Sequence, residues 1–468
     1  MLKFHMLKSI IVNFIGIFNS RVLGFIRDLL SASYLGATIY SDIFFVAFKF
    51  PNLFRRIFAE GAFSQSFIPS FAKSQYKPKF AYKVFITFLL ILIFMSIIVN
   101  VFSYQITSIL AYGFSEEAKK LAAPLVGLNF WYLDLIFIVT FFASLLQYKN
   151  HFATTAFSTA LLNISMIVAL IISKDLPKEK IIWYLSYGVL IGGILQVIAH
   201  LIAAKYKGIL KLLYIGFLSK KKVDLSTFKK HFLPSVFGNS TAHISAFIDT
   251  WLASFLTAGS ISYLYYANRL FQLPFALFAI ATSIVLFPKI TKAISQENFD
   301  EAKILMKKSF WYLLYALSLA LIVTIIANKE IVSILFERGE FTSKDTQITA
   351  VVLIMYMIGI IPFGLNKLFS SYLYATHKHL KAAKFSAISL IVNIIFSIIL
   401  IFPLKVYGLA LASSIGGIVL FFLTLKEYGY KEFLEFFEKK YIFLMLIVII
   451  LSIIFGIGFK EIILLIKG

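Results

Sequence analysis

A chain of 468 residues that is 60% hydrophobic and 14% charged, with a mean hydropathy of +0.89, falls outside the soluble globular classes. Its net charge of +23 reflects membrane topology rather than nucleic-acid binding, because Lys and Arg collect on cytoplasmic loops, and the excess can also contact anionic headgroups. Cysteine is absent, which excludes disulfides, thiolate metal sites and Cys nucleophiles.

Apolar runs of membrane length recur from end to end. The expected fold is an all-α polytopic membrane protein, since lipid cannot satisfy exposed backbone groups and no period-2 barrel pattern appears. In chain order the spans fall near 9–35, 40–72, 82–112, 121–148, 152–173, 181–204, 231–257, 260–288, 308–328, 346–372, 382–402, 406–425 and 441–459, about thirteen in all. The first is too charged for a cleaved signal peptide. The second is interrupted by Pro51 and Gly61 and should kink or break. One set of alternate loops carries roughly 27 Lys/Arg and the other about 11, which makes the richer side cytoplasmic and puts the N-terminus inside. With thirteen spans the C-terminus is outside. The segment 330–345 is outside as well, with a short surface helix.

Residues 205–230, KYKGILKLLYIGFLSKKKVDLSTFKK, read either as a basic amphipathic interfacial linker or as a loose basic loop. The two sides of this segment repeat each other. NSRVLGFIRDLLSASYLGA from Asn19 resembles NSTAHISAFIDTWLASFLTAG from Asn239, and Phe67-Ile68-Pro69 answers Phe287-Pro288. Asn163 answers Asn393, and Gly192-Gly193 answers Gly416-Gly417. The expected organisation is an N-lobe over 1–204, the linker over 205–230, a C-lobe over 231–428 and a C-terminal segment over 429–468 with the last span. Each lobe has six spans, an even number, so this is a parallel repeat with a site between its halves.

The charges inside the spans point to function. Arg21, Arg27, Asp28, Asp42, Lys49, Arg55, Arg56 and Glu60 lie in two otherwise apolar segments, where each ionisable group costs roughly 2.5 to 3.5 kcal/mol on insertion scales. Such residues line a polar cavity, and one rich in Arg suits an anion, because the planar guanidinium donates bidentately and stays charged. Seven residues turn a helix by about −20°, so Arg21 and Asp28 share a face, as do Asp42, Lys49, Arg56 and Glu60. Arg27 and Arg55 point elsewhere on that ideal wheel, and Pro51 leaves Arg55 and Arg56 unranked. In the second half Arg269 sits in YLYYANRLFQLPF, with Tyr265 four residues before it and Gln272 three after. Asp249 could bind Na⁺ or a proton, or pair with Arg269. His243, nearby, reads as a packed or hydrogen-bonded residue, with no metal spacing around it. A set of structural ion pairs pinning helices together would use the same residue types. No phosphate-binding GxxxxGK[ST] loop and no GxSxG elbow occur.

At these residues the chain resembles MurJ, the lipid II flippase family of the MOP exporter superfamily. The motifs are SRVLGFIRD (Ser20–Asp28), SDIFFVAFKFPNLFRRIFAEGAFSQSFIP (Ser41–Pro69), LLNISMI (Leu161–Ile167), YYANRLFQLP (Tyr265–Pro274) and LFERGEFT (Leu335–Thr342). The resemblance implies alternating access between two lobes, with undecaprenyl-diphosphate-linked disaccharide-pentapeptide moved from the inner to the outer leaflet for peptidoglycan synthesis. It matches the family's cavity arginines to Arg21, Arg27, Arg55 and Arg269, and its acids to Asp28, Asp42 and Glu60, which favours Arg55 over Arg56. The candidate cargo-binding set is therefore Arg21, Arg27, Lys49, Asn52, Arg55 and Arg269. Asp28, Asp42 and Glu60 are orienting or gating acids, and Asp249 is an ion-coupling candidate. The expected setting is the bacterial cytoplasmic membrane, with lipid II and membrane lipids as partners, no nucleic acid, and a monomer. No cofactor is expected. Na⁺, a proton or the membrane potential is left as the driving force.

Two departures stand out. The family usually has fourteen spans, whereas the residues after Lys440 provide one. Where some members place an acid for Na⁺ before the eleventh span, this chain has Ala375-Thr376-His377-Lys378-His379. Three other readings use the same composition. A drug or other lipid-linked oligosaccharide exporter needs fewer buried arginines. A polyprenyl-phosphate enzyme needs metal-binding acids or a nucleophile, and neither is found. A non-transporting scaffold leaves the buried charges without a use.

Overall fold

The computed structural model describes residues 2–55, 62–226, 228–230, 232 and 247–467. Among them there are helices and turns and no strand. Among the described residues nine helical stretches are long and apolar enough to cross a membrane. One of these, His379–Tyr428, is two helices that meet at Lys405, where the backbone turns to φ 50°, ψ −129°. It contains the two spans expected over 382–402 and 406–425. Pro403 cannot donate to the preceding turn, and Gly408 lets the second helix lie directly against the Leu400 carbonyl.

The chain divides into two compact units, Met1–Gly259 and Ser260–Gly468. This contact boundary lies beyond the repeat-based division at 231, because residues 247–259 pack with the first unit.

The first unit contains α1 (Leu2–Leu35), α2 (Ile39–Phe54), α3 (Ala62–Lys73), α4 (Lys77–Val101), α5 (Ser103–Leu110), α6 (Glu116–Phe130), α7 (Tyr132–Tyr148), α8 (Ala153–Ser173), α9 (Lys178–Tyr206) and α10 (Ile209–Leu218). Gly36 ends α1 in the left-handed region at φ 64°, a conformation glycine adopts without a Cβ penalty. Thr38 and Ser41 then start α2 with a capping box. The described helices here are α2, which ends at Phe54, and α3, which begins at Ala62; the expected break, with Gly61, lies outside the described residues. Phenylalanines fill the interior. Phe63 lies 5.2 Å from Phe67 and 5.5 Å from Phe137, and Phe67 lies 5.4 Å from Phe141. Phe228 of the 205–230 segment joins them, 6.0 Å from Phe63. The first half of that segment is the helix α10, packed on α4 and α9, rather than a loose loop.

The second unit opens with α11 (Ser260–Pro274), a π-helical turn (Phe275–Ile280) and α12 (Ala281–Ser295). The π turn follows Pro274, whose missing N–H disturbs the regular ladder. Next come α13 (Phe299–Ile326), α14 (Asn328–Phe336), α15 (Ser343–Met357), α16 (Ile360–Ala375), α17 (His379–Tyr428), α18 (Tyr430–Leu434) and α19 (Lys439–Lys467). The short helix expected within 330–345 is α14. Thr342 caps α15 in a capping box closed by Asp345, which also accepts from the Tyr263 hydroxyl at 2.7 Å. The last helix is fastened to α13 through aromatic and polar contacts. Trp311 donates to the Phe436 carbonyl at 2.8 Å, Tyr315 donates to the Tyr441 carbonyl at 2.9 Å, and Lys307 bridges Glu438.

Candidate functional site

Arg27 is the centre of the first unit's charged site. It is 5% exposed on α1, and Asp28 beside it is 2% exposed. The Arg27 Nε and Nη2 donate to Asp28 Oδ1 at 3.1 and 2.7 Å. Its Nη1 donates to Asn163 Oδ1 on α8 at 3.0 Å and faces Met166 Sδ at 3.7 Å. Asn163 is oriented in turn by donating to the Ser20 carbonyl at 3.0 Å. The guanidinium carbon also lies 6.0 Å from the Phe48 ring centroid on α2, within range of a cation–π contact. The fork of Arg27 is therefore held from its own helix, α8 and α2.

The ideal wheel put Arg21 and Asp28 on one face and Arg27 elsewhere. In the structure Asp28 bonds its sequence neighbour Arg27, and Arg21 is exposed. Adjacent helical residues diverge by about 100°, but the long Arg side chain spans that angle inside a packed interface.

Next to Phe48, Lys49 donates to Thr250 Oγ1 at 2.8 Å. Thr250 follows Asp249, and both are buried. Asp42 near the start of α2 is 2% exposed, and its Oδ2 accepts from the Gly259 N–H at 2.7 Å. The carboxylate thus ties α2 to the end of the 247–259 segment. On the same side Trp251 Nε1 donates to the Ile109 carbonyl at 2.9 Å, and the Gly113 N–H donates to Ser254 Oγ at 3.2 Å. Asn52 is half-buried and donates to the Phe48 carbonyl one turn back at 2.7 Å, so it serves its own helix. Arg55 is half-buried at the end of α2. Arg56, Glu60 and His243 lie outside the described residues.

In the second unit Arg269 is half-buried on α11. Its Nη2 donates to the Tyr265 hydroxyl at 2.9 Å, and the guanidinium stacks 5.1 Å from the Tyr265 centroid. The four-residue spacing seen in sequence is the reason they meet. Gln272 bonds Asn268 on the same helix.

Sequence reasoning brought out Arg27 and Lys49 and, for Arg27, the orienting acid Asp28, but not the neutral residues that hold them. Asn163 stood out as a repeat position and within a family motif but with no role, and Thr250 and Phe48 were given none, since neutral groups across an interface leave no periodicity. Asp134 on α7 was also missed; it is 6% exposed and accepts from Ser96 Oγ at 2.5 Å. Lys367 on α16 was missed too. An ionisable residue within a membrane-length apolar run was the available signal for both.

The family model described as Lipid II flippase MurJ matches residues 31–466. The chain belongs to the MurJ family. A probable lipid II flippase MurJ of Helicobacter pylori (strain ATCC 700392 / 26695) is 51% identical over 417 residues, which are 86% of this chain and 90% of that protein. One from Buchnera aphidicola subsp. Schizaphis graminum is 35% identical over 454 residues, 94% of this chain and 86% of that one. Among solved structures, a lipid II flippase MurJ in an inward closed conformation superposes with a TM-score of 0.78 at 28% identity, over 97% of this chain and all of that one. An inward-facing multidrug resistance MATE family transporter of the MOP superfamily superposes with a TM-score of 0.68 at 12% identity, covering 88% of this chain and 94% of that one, which is a likeness of fold. This MurJ-family chain is a multi-pass helical membrane protein of the transporter kind.

Proposed function

We propose that this chain moves lipid II, the undecaprenyl-diphosphate-linked peptidoglycan precursor, from the inner to the outer leaflet of the bacterial cytoplasmic membrane by alternating access. The observation that carries the reading is Arg27. It is a buried arginine in a membrane-length helix, its fork fixed by Asp28 and Asn163, in a chain of the MurJ family. A diphosphate is the anion such a fork suits, and the polyprenyl tail can stay in lipid while the headgroup crosses. Arg21, Lys49, Arg55 and Arg269 complete the cationic set, and Asp28, Asp42 and Glu60 orient or gate it. The loop-charge asymmetry supports a cytoplasmic N-terminus.

Asp249 is the candidate for coupling to Na⁺ or a proton. The membrane potential is the other source of work: each cargo charge crossing the full field is worth roughly 2.3 kcal/mol per 100 mV.

The test is complementation of a bacterium depleted of its own flippase, by this chain and by its Arg27→Ala form, with membrane levels measured for both. Rescue by the unaltered chain alone supports the reading. Failure of both at normal membrane levels means a different cargo on the same fold. Rescue by both removes Arg27 from the site.

A further inference from the structure

Lys367 lies within α16, eight residues before the end of a stretch, Ser343–Ala375, that is long and apolar enough to span a membrane. Eight helical residues rise about 12 Å, farther than a lysine side chain reaches, so snorkelling to that end does not account for it. Among the described residues no carboxylate pairs with Lys367. Its side chain is exposed.

The neighbours on its own helix say which element it faces. Positions four apart share a helical face. One turn before, Phe363 packs against Phe271 and Phe275, with centroids 6.1 and 6.4 Å apart. One turn after, Ser371 Oγ lies 2.8 Å from Ser283 Oγ. Lys367 is thereby bracketed by contacts to the continuous stretch Ser260–Ser295, the helix that carries Arg269. Its neighbour Asn366 turns the other way, toward Thr424 at 3.2 Å, and is used in packing α16 to α17.

We propose that Lys367 is a further cargo-binding cation of the second unit, taking an anionic oxygen of the lipid-linked precursor, either of its diphosphate or of a peptide carboxylate. This rests on the lipid II reading above. A lone ammonium at membrane depth is costly unless it faces water or an anion, and this one is exposed between two contacts to the arginine-bearing helix. A compact charge with three rotatable donors suits an anion whose position varies, whereas the arginine fork suits a fixed one.

The experiment is native mass spectrometry of the purified full chain, titrated separately with undecaprenyl diphosphate and with lipid II. The unaltered chain, Lys367→Gln and Lys367→Arg are compared, and thermal unfolding is recorded for each. The expected result is binding roughly tenfold weaker in Lys367→Gln, as for loss of one charged hydrogen bond, with binding kept in Lys367→Arg and the unfolding temperature unchanged. Weakening toward both lipids assigns the diphosphate, and weakening toward lipid II alone assigns a peptide carboxylate. Equal binding by the unaltered and Gln forms overturns this inference and leaves the function standing. Absence of binding by the unaltered chain overturns both. A Gln form that binds weakly only because it unfolds earlier, with the Arg form equally impaired, makes Lys367 structural and overturns the assignment.

Discussion

Arg27 and Asn163 are joined by a 3.0 Å hydrogen bond across 136 positions of sequence, the arginine on α1 and the asparagine on α8. That bond uses the Nη1 of a guanidinium whose other two nitrogens are held by Asp28. The arginine is thus fixed in angle as well as in place.

Arg27→Ala is expected to abolish rescue of a flippase-depleted strain. It also breaks the buried ion pair with Asp28, a change that typically costs about 3–5 kcal/mol, so the thermal transition should fall. Asn163→Ala removes one charged hydrogen bond, on the order of 1.5–3 kcal/mol, and should weaken transport more than it lowers stability. A double-mutant cycle on growth and melting temperature measures the coupling. Strictly additive effects would show that Asn163 does not position Arg27.

Arg269→Lys keeps the charge but loses both the fork and the flat stacking on Tyr265. Transport is expected to drop by about tenfold or more, whereas Tyr265→Phe, which keeps the ring and removes only the hydroxyl acceptor, should cost less. Transport assays in vesicles with a fluorescent lipid II analogue would rank the three forms. A lysine variant as active as the unaltered chain would reduce Arg269 to a simple positive charge.

Gly113 meets the 247–259 segment so closely that an added Cβ would lie 2.5 Å from the Phe255 backbone. Backbone atoms cannot turn aside as a flexible side chain can, so Gly113→Ala should push that segment away. Because the chain has no cysteine, a single Ser254→Cys reports the movement cleanly. Labelling by a membrane-impermeant thiol reagent is expected to speed up in the alanine background, and an unchanged labelling rate would mean that the contact relaxes locally.

Gly408→Ala tests the turn at Lys405. The new methyl meets the Leu400 carbonyl, and overpacking of this kind costs about 1–3 kcal/mol. A lowered melting temperature with no change in lipid binding is expected, which would separate a folding device from a cargo contact.

His151 lies in the turn between α7 and α8, where burial first and the positive Lys207 second hold its imidazole below the ordinary value of 6.5. The folded form then binds fewer protons than the unfolded one, so the stability from this group is complete above the ordinary value. It is lost as pH falls through that value toward the folded one. His151→Gln should blunt the loss of thermal stability between about pH 7 and pH 5. A parallel pH profile in the variant would mean that other groups govern the acid limb.

The membrane class, most of the helical segments and the family were legible in the amino-acid sequence alone. Apolar run length and charge content are local and additive, so no fold is needed to read them, and the four-residue spacing of Tyr265 and Arg269 lies within one helix. The packing of the helices was needed to see that Asp28 meets Arg27, that Asn163 completes the cage, and that Lys49 reaches Thr250 across 201 positions. Helical periodicity says which residues leave a helix on the same side. Which neighbour stands there, and how far a long side chain bends to reach it, is set by the packing of other helices whose contacting atoms are neutral or apolar and leave no pattern of their own.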